Sequence, residues 1–254
     1  MRYLGDYKLT LKINQHITRL IFIFCLVLTV TYAKAQKERP KNLPRFDHNL
    51  FHFGFILGIN NADFTLHRKP PNQVFDSLMI LDVTKQPGFN LGIVSELHIT
   101  KNIKMRFVPS LSFAQRDINY QFQGKKYVAF VKQVESTYLE FPVLFKLKSD
   151  RVNNFSGYVI AGGKYSLDLA SNEKADNAGN NLSDIVVKIK RNDYHFEAGW
   201  GMEFYLEYFK FGLELKMSYG IKNILVPDTP PTIFSSPIEV LRSKMFLLSF
   251  TFEG

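Results

Sequence analysis

The sequence predicts an all-β fold: an antiparallel transmembrane β-barrel of about eight strands, preceded by a cleaved signal peptide. Two observations predict the barrel. Apolar side chains recur at every second residue over long segments, and the connections between the segments alternate between short and long. Segments of roughly ten residues exceed a usual soluble strand but suit a tilted strand that crosses a bilayer. A third observation, an apolar block near the N-terminus, predicts export.

Eight segments carry the two-residue period. They cover residues 51–59, 89–99, 103–113, 139–147, 155–167, 194–204, 209–217 and 246–252. Tight turns are predicted near residues 100–102, 149–154 and 207–208, whereas residues 60–87, 117–133, 170–192 and 222–241 are predicted as long loops rich in Pro, Asn, Asp and Lys. Short periplasmic turns opposite long extracellular loops are typical of outer-membrane barrels, and they predict that both termini are periplasmic.

The N-terminus has the order of a secretory signal peptide. A basic stretch leads into the apolar residues 20–30, and Ala33 and Ala35 then supply the small residues of a cleavage site. The apolar block, as helix, reaches only about 16 Å, against roughly 30 Å for a hydrocarbon core. We therefore predict a signal peptide over residues 1–35, a periplasmic N-terminal segment over 36–49 and an outer-membrane barrel domain over 50–254.

Cysteine content and charge exclude several functions. The only cysteine, Cys25, lies within the apolar block, so the mature chain is predicted to have no disulfide or thiolate chemistry. The net charge of +9 falls to +5 without residues 1–35, which hold five Lys or Arg and one Asp. The remaining excess is spread along the chain, so nucleic acid is not an expected partner.

Alternation alone does not say which face meets lipid, because a soluble barrel would place its apolar face inward. An eight-stranded barrel has room for little more than its own side chains, and more than a dozen Phe would overfill it. The opposite parity combines glycines with charges of both signs, which predicts a lumen filled by paired charges. The predicted lumen network is Glu96, Lys104, Arg106, Glu140, Lys146, Lys164, Asp168, Glu197, Glu203, Glu214 and Lys216.

The sequence offers little evidence for a catalytic or metal-binding site. The glycine-containing segment 157–165 has the wrong spacing for a phosphate loop, with Tyr165 where Ser or Thr would be needed. His52, His98 and His195 share the lumen parity, but His195 is predicted at the opposite end of the barrel from the other two, which argues against a common metal site. We predict no enzyme activity, cofactor, metal or small-molecule substrate; an enzyme with paired carboxylates stays open as the alternative.

Several stretches resemble the PorT family, outer-membrane barrels associated with the type IX secretion system of the Bacteroidetes. The resemblance runs from about residue 46 to 252 and is strongest over 135–146, 149–151 and 161–170. The residues that carry the family motif are Glu135, Ser136, Thr137, Pro142, Gly162, Gly163 and Lys164. The resemblance implies a non-enzymatic component for export of folded cargo, as in gliding motility, with lipid and other secretion proteins as partners. An outer-membrane barrel with an unrelated structural or binding role is the alternative.

Overall fold

The computed structural model describes residues 40–70, 77–123, 128–178 and 181–254. The predicted signal peptide and Cys25 lie outside the described residues. Apart from Pro40, the described residues belong to one compact unit, Lys41–Gly254. Its strands are β1 (Phe51–Arg68), β2 (Leu78–His98), β3 (Ile103–Phe107), β4 (Ser110–Phe122), β5 (Val128–Lys148), β6 (Phe155–Asp168), β7 (Asn192–Tyr205), β8 (Lys210–Gly220) and β9 (Ile238–Glu253).

The strands form one closed antiparallel sheet. Neighbours follow the order β1, β9, β8, β7, β6, β5, then β3 with β4, then β2, and β2 pairs back onto β1. β3 and β4 are two halves of one strand, interrupted at Val108 and Pro109, because both halves pair with β2 and with β5. The predicted barrel of eight strands is therefore confirmed.

The barrel has a turn end and a loop end. At the turn end, residues 99–102, 149–154 and 206–209 connect the strands, as predicted. Near this end, outward side chains are apolar and exposed, as in Phe53, Phe55 and Leu57 of β1, whereas the charged residues of the other parity are buried inside. The glycines of that parity leave space for the long charged side chains.

Two predicted loops are wrong in extent. Residues 60–87 were expected as one loop, but β1 continues to Arg68 and β2 begins at Leu78. Residues 117–133 likewise contain the end of β4 at Phe122 and the start of β5 at Val128. The two-residue period continues there, but polar residues such as Asn61, Asp63 and Gln133 enter the outward positions, so outward apolar residues alone do not predict these strand ends. At about 3.3 Å per residue, strands of this length extend well beyond a 30 Å hydrocarbon layer.

The loop end contains a conventional hydrophobic core. On β1 the outward positions change from Ile59 to Asn61 and Asp63, while Phe64 on the same strand is buried inside. The core joins strand residues to residues of the loops 169–191 and 221–237, which pack over the barrel opening: Phe64, Leu78, Ile118, Tyr120, Val134, Ile185, Val187, Ile189, Ile224, Leu225, Phe234, Ile238 and Leu241. We call this core, with the strand ends and loops that form it, the loop-end body.

The segment before β1 lies across the turn end. It contains a short 3-10 helix, Phe46–His48, and the ring of Phe46 stacks on that of His52 with centroids 3.6 Å apart. The amide of Asn42 donates to Asn154 over 2.9 Å, which fixes the segment to a turn. No helix in the described ranges has both the length and the apolar character that crossing a bilayer demands.

Candidate functional site

The lumen near the turn end holds a layer of fully buried carboxylates. Glu96, on β2, accepts hydrogen bonds from Lys104 over 3.0 Å, from Arg106 over 2.7 Å and from Lys146 over 2.8 Å. Glu203, on β7, pairs with Lys146 and Lys210. The strands that carry these residues lie on different sides of the barrel, so the ion pairs cross the lumen and fill it.

A metal ion has one conceivable position in the described lumen. Glu96, Glu203 and Glu253 each bring a carboxylate oxygen within 4.8 Å of the others. The cations of Arg106 and Lys210 already pair with Glu253, over 2.9 Å and 2.7 Å. A metal would have to displace the Arg106 and Lys210 side chains that already contact these carboxylates, so the arrangement suits internal charge pairing.

Farther along the lumen, smaller networks repeat this pattern. Lys164, on β6, lies between Glu140 of β5 over 2.8 Å and Glu197 of β7 over 3.0 Å. Lys216 pairs with Glu214 over 2.8 Å, and Glu214 also accepts a hydrogen bond from Tyr158. Lys164 and Lys216 thus each have a carboxylate partner on their own or an adjacent strand.

A third polar layer lies just below the loop-end body. Asp168 accepts hydrogen bonds from the amides of Thr137 over 3.3 Å and Ala170 over 3.0 Å, at the point where β6 ends. On β7, His195 lies 3.2 Å from Asp193. The side chains of Asp168, Asp193 and His195 are buried.

At the turn end, Asp47 joins the N-terminal segment to the barrel. Its carboxylate lies 3.0 Å from the ammonium of Lys148 and 3.5 Å from the guanidinium of Arg151. Burial raises the pKa of Asp47, but attraction to Lys148 and its hydrogen bond outweigh burial, so the pKa is lower than usual. The segment therefore closes this mouth through an ionised carboxylate.

At the loop end, Asp228 fastens the two long loops together. It accepts hydrogen bonds from Asn177 of the loop 169–191, and from Thr232 and Ser235 of its own loop, over 2.9, 2.6 and 2.7 Å. Lys188 lies 2.9 Å away. Burial raises the pKa of Asp228, but these donors outweigh it and the pKa is below its usual value.

All eleven predicted lumen residues are buried in the barrel interior. The residues that carry the family motif lie on both faces of the sheet. Ser136 and Pro142 point inward, Thr137 is half-exposed, and Glu135 points outward into solvent. Gly162 faces the lumen beside Val143, where an added Cβ would strike the carbonyl oxygen, and Gly163 is exposed outside. Motif residues thus lie on both the inward and the outward face of β5 and β6.

Sequence reasoning missed several lumen residues. Glu253 continues the parity of Ser249 and Thr251 and could have been found from that spacing. Lys148 follows Lys146 at the same two-residue interval. Asp47 precedes the first strand, so no periodicity predicts its contact with Lys148.

The fold defines a transmembrane β-barrel, and in the part of the chain that the structure describes its lumen is filled by side chains. The family model for the outer membrane protein beta-barrel domain matches residues 34–226, and the chain belongs to that family. The protein is thus an outer-membrane β-barrel protein.

Solved structures similar to this chain are also outer-membrane proteins. Neisserial surface protein A is 8% identical, with 79% of this chain and 96% of that chain covered and a TM-score of 0.40. OprG from Pseudomonas aeruginosa is 14% identical, with 81% and 94% covered and a TM-score of 0.38. Ail from Yersinia pestis, in complex with a heparin analogue, is 11% identical, with 81% and 100% covered and a TM-score of 0.37. No curated protein sequence matches the chain.

Proposed function

We propose that this protein is a non-enzymatic component of a type IX protein secretion system, needed for export of cargo across the outer membrane. In this proposal the termini and short turns are periplasmic, and the loop-end body stands outside the cell. The observation that carries the non-enzymatic role is the filled lumen: charged layers block the turn end, and the core around Phe234 blocks the loop end. Among the described residues, Asp193 and His195 are buried between these layers, which supports a non-enzymatic role.

The secretion role is supported by the resemblance of residues 135–146 and 161–170 to the PorT family. A filled barrel is unsuited to carrying folded cargo through its own lumen, because eight strands leave no aqueous bore. Its contribution to export would then be to bind and position other proteins. The loop-end body offers a large surface for that purpose.

Gene deletion tests the proposal. We expect cargo to be synthesised but retained in the periplasm, with loss of gliding or secreted hydrolase activity where the organism has them. Single alanines at Glu140, Lys164 or Asp168 should reduce export only as far as they reduce the amount of folded barrel, measured on the same samples by gel mobility without heating. Abolished export at full barrel abundance would contradict a purely structural role for that residue, and unchanged export after deletion would contradict the secretion role.

An outer-membrane barrel that binds a partner unrelated to secretion is the second candidate. The specific observation in its favour is that Asp228 joins the two long loops through Asn177 and Thr232, which gives the loop end an ordered surface for a partner of any kind. Normal export in the deletion strain, together with a specific partner at the loop end, would favour this candidate.

A further inference from the structure

The upper part of β5 has one side without a paired strand. On one side β5 pairs with β4 from Val128 to Glu140 and with β3 from Val143 to Leu147, but on the other side it pairs with β6 only from Tyr138 onward. Among the described residues, Val128–Ser136 therefore has a strand neighbour on one side alone. We call these nine residues the free edge; at about 3.4 Å per residue they span roughly 30 Å.

The direction of the backbone groups follows from Thr137, at the foot of the free edge. Its carbonyl accepts from the amide of Leu169 over 2.8 Å and its amide donates to Asp168, so both groups point away from β4. Alternate residues of a strand share this direction. The backbone groups that face the open side therefore belong to Ala129, Val131, Gln133 and Glu135, and no backbone hydrogen bond from the described chain reaches them there.

A second strand edge at the same level is covered. β9 pairs with β8 only as far as Lys244. Beyond that point, toward Ile238, residues 223–224 lie beside β9. The amide of Ile224 donates to the carbonyl of Leu241 over 2.9 Å, and the side chain of Asn223 bonds the backbone of Leu241 and Glu239, each over 3.0 Å. Exposed edges invite pairing with other chains, and proteins usually cover or blunt them. Within the described ranges, the edge of β9 is covered, whereas Ala129, Val131, Gln133 and Glu135 of the free edge are exposed.

The surroundings of the free edge suit a polypeptide. Its outward side chains Val131, Gln133 and Glu135 lie above the apolar band, level with polar positions of β4. A largely apolar cavity of about 370 Å³ adjoins its upper end, lined by Phe122, Val128, Phe130, Leu182 and Ile233. A second cavity of about 290 Å³ adjoins its lower end, next to Glu135, Thr137 and Ala170.

We infer that the free edge of β5 binds an extended segment of another protein as an added strand. The backbone groups of the four alternate residues would supply main-chain hydrogen bonds, and the cavities would select side chains, as in other cases of strand addition. The segment that fits has an apolar residue for the larger cavity and a basic residue opposite Glu135. The inference deepens the proposed partner-binding role and rests on it.

Site-specific photo-crosslinking in cells that carry the full chain in the outer membrane tests this inference. The photoreactive amino acid p-benzoylphenylalanine is placed in turn at Val131, Gln133 and Glu135, and at Glu239 on the covered edge as a control. We expect the three edge positions to label one partner segment, with the labelled residue moving by about two positions at each step. Labelling without that progression, equal labelling from Glu239, or adducts only with a second copy of this chain would overturn the inference.

Proline variants provide a second test, because they change the backbone hydrogen bonding of the free edge itself. Gln133→Pro removes an amide that β4 does not use, so the barrel should fold, whereas the added strand loses a hydrogen bond and meets the proline ring. We expect the adduct from Val131 to fall about tenfold or more in Gln133→Pro and to change little in Gln133→Ala. The second variant is Val131→Pro, in which the adduct is measured with the photoreactive amino acid at position 135. For both variants, gel mobility without heating shows whether the barrel is folded.

The outcomes separate this inference from the proposed function. If both folded proline variants retain the adduct, the free edge is not the binding site, whatever deletion does to export. If the proline variants lose the adduct while the deletion strain exports cargo normally, the strand-addition site stands and the secretion role fails.

Discussion

The lower barrel and the loop-end body are built on the same strands with opposite distributions of polarity. On β1, Phe55 points outward and the inward-facing positions border the charged lumen, whereas above Ile59 the outward residues are Asn61 and Asp63 and Phe64 is buried inside. The strand pairing continues through this change without a register shift. The surrounding solvent, lipid or water, therefore dictates which face of one continuous strand is apolar.

The largest expected effect concerns the lower lumen. Glu203→Ala would leave Lys146 and Lys210 buried without one of their carboxylates, and loss of one partner of a buried pair costs about 3–5 kcal/mol. We expect the free energy of unfolding in urea, measured in lipid vesicles, to fall by that order. Glu135→Ala, an exposed carboxylate of the same barrel, should change it by less than about 0.5 kcal/mol. Equal losses of unfolding free energy in Glu203→Ala and Glu135→Ala would contradict a stabilising role for the buried ion pairs.

The loop-end body should respond to loss of apolar volume instead. Phe234 is fully buried against the rings of Tyr120, Phe122 and Phe130, so Phe234→Ala should cost roughly 3 kcal/mol. The loss should fall on the loop-end body, and we expect faster protease cleavage in the loops with the lower barrel still resistant. Ile233→Ala, at the exposed neighbouring position, is the control. Unfolding of the whole barrel in a single step would show that the two regions are not separable.

A charge introduced on the outer face distinguishes the two regions on one strand. Phe55→Lys places an ammonium in the apolar band and should destabilise the barrel by about 2–4 kcal/mol if it lies near the bilayer midplane. His67→Lys, on the same face of β1 above the band, should have almost no effect. Folding yield into lipid vesicles measures both, and similar losses would contradict a boundary between these positions.

The smallest effect is a pH dependence confined to the loop end. The folded pKa of Asp228 is lower than its usual value of 3.8, so its contribution is present above pH 3.8 and is lost as the pH falls through the folded pKa. Hydrogen exchange in the loops 169–191 and 221–237 should rise in this acid range. Asp228→Asn should show raised exchange already at neutral pH, by an amount that corresponds to about 1–2 kcal/mol. An unchanged acid response in Asp228→Asn would assign the effect to another group.

The sequence predicted the lower barrel better than the loop-end body. Outward apolar residues and inward charges at a two-residue interval are a local signal, so Glu96 and Lys146 could be placed in the lumen from parity alone. Ile185, Val187 and Ile189 also alternate and lie in a loop, as predicted, but their burial was not predictable. It depends on contacts distant in sequence, such as that of Phe234 with Tyr120. The ion pair between Asp47 and Lys148 joins residues that are distant in sequence, so the two-residue pattern could not predict it.

The change from lipid to water along the outer face of β1 can be measured residue by residue. Single cysteines are placed at the outward positions of β1 from Phe51 to His67 in a Cys25→Ser background, labelled with a nitroxide and reconstituted in vesicles. Electron paramagnetic resonance then compares collisions with oxygen, which concentrates in lipid, and with a water-soluble nickel complex. The account predicts oxygen contact through Ile59 and nickel contact from Asn61 onward. Oxygen contact that continues to His67, or nickel contact that begins near Phe55, would contradict it.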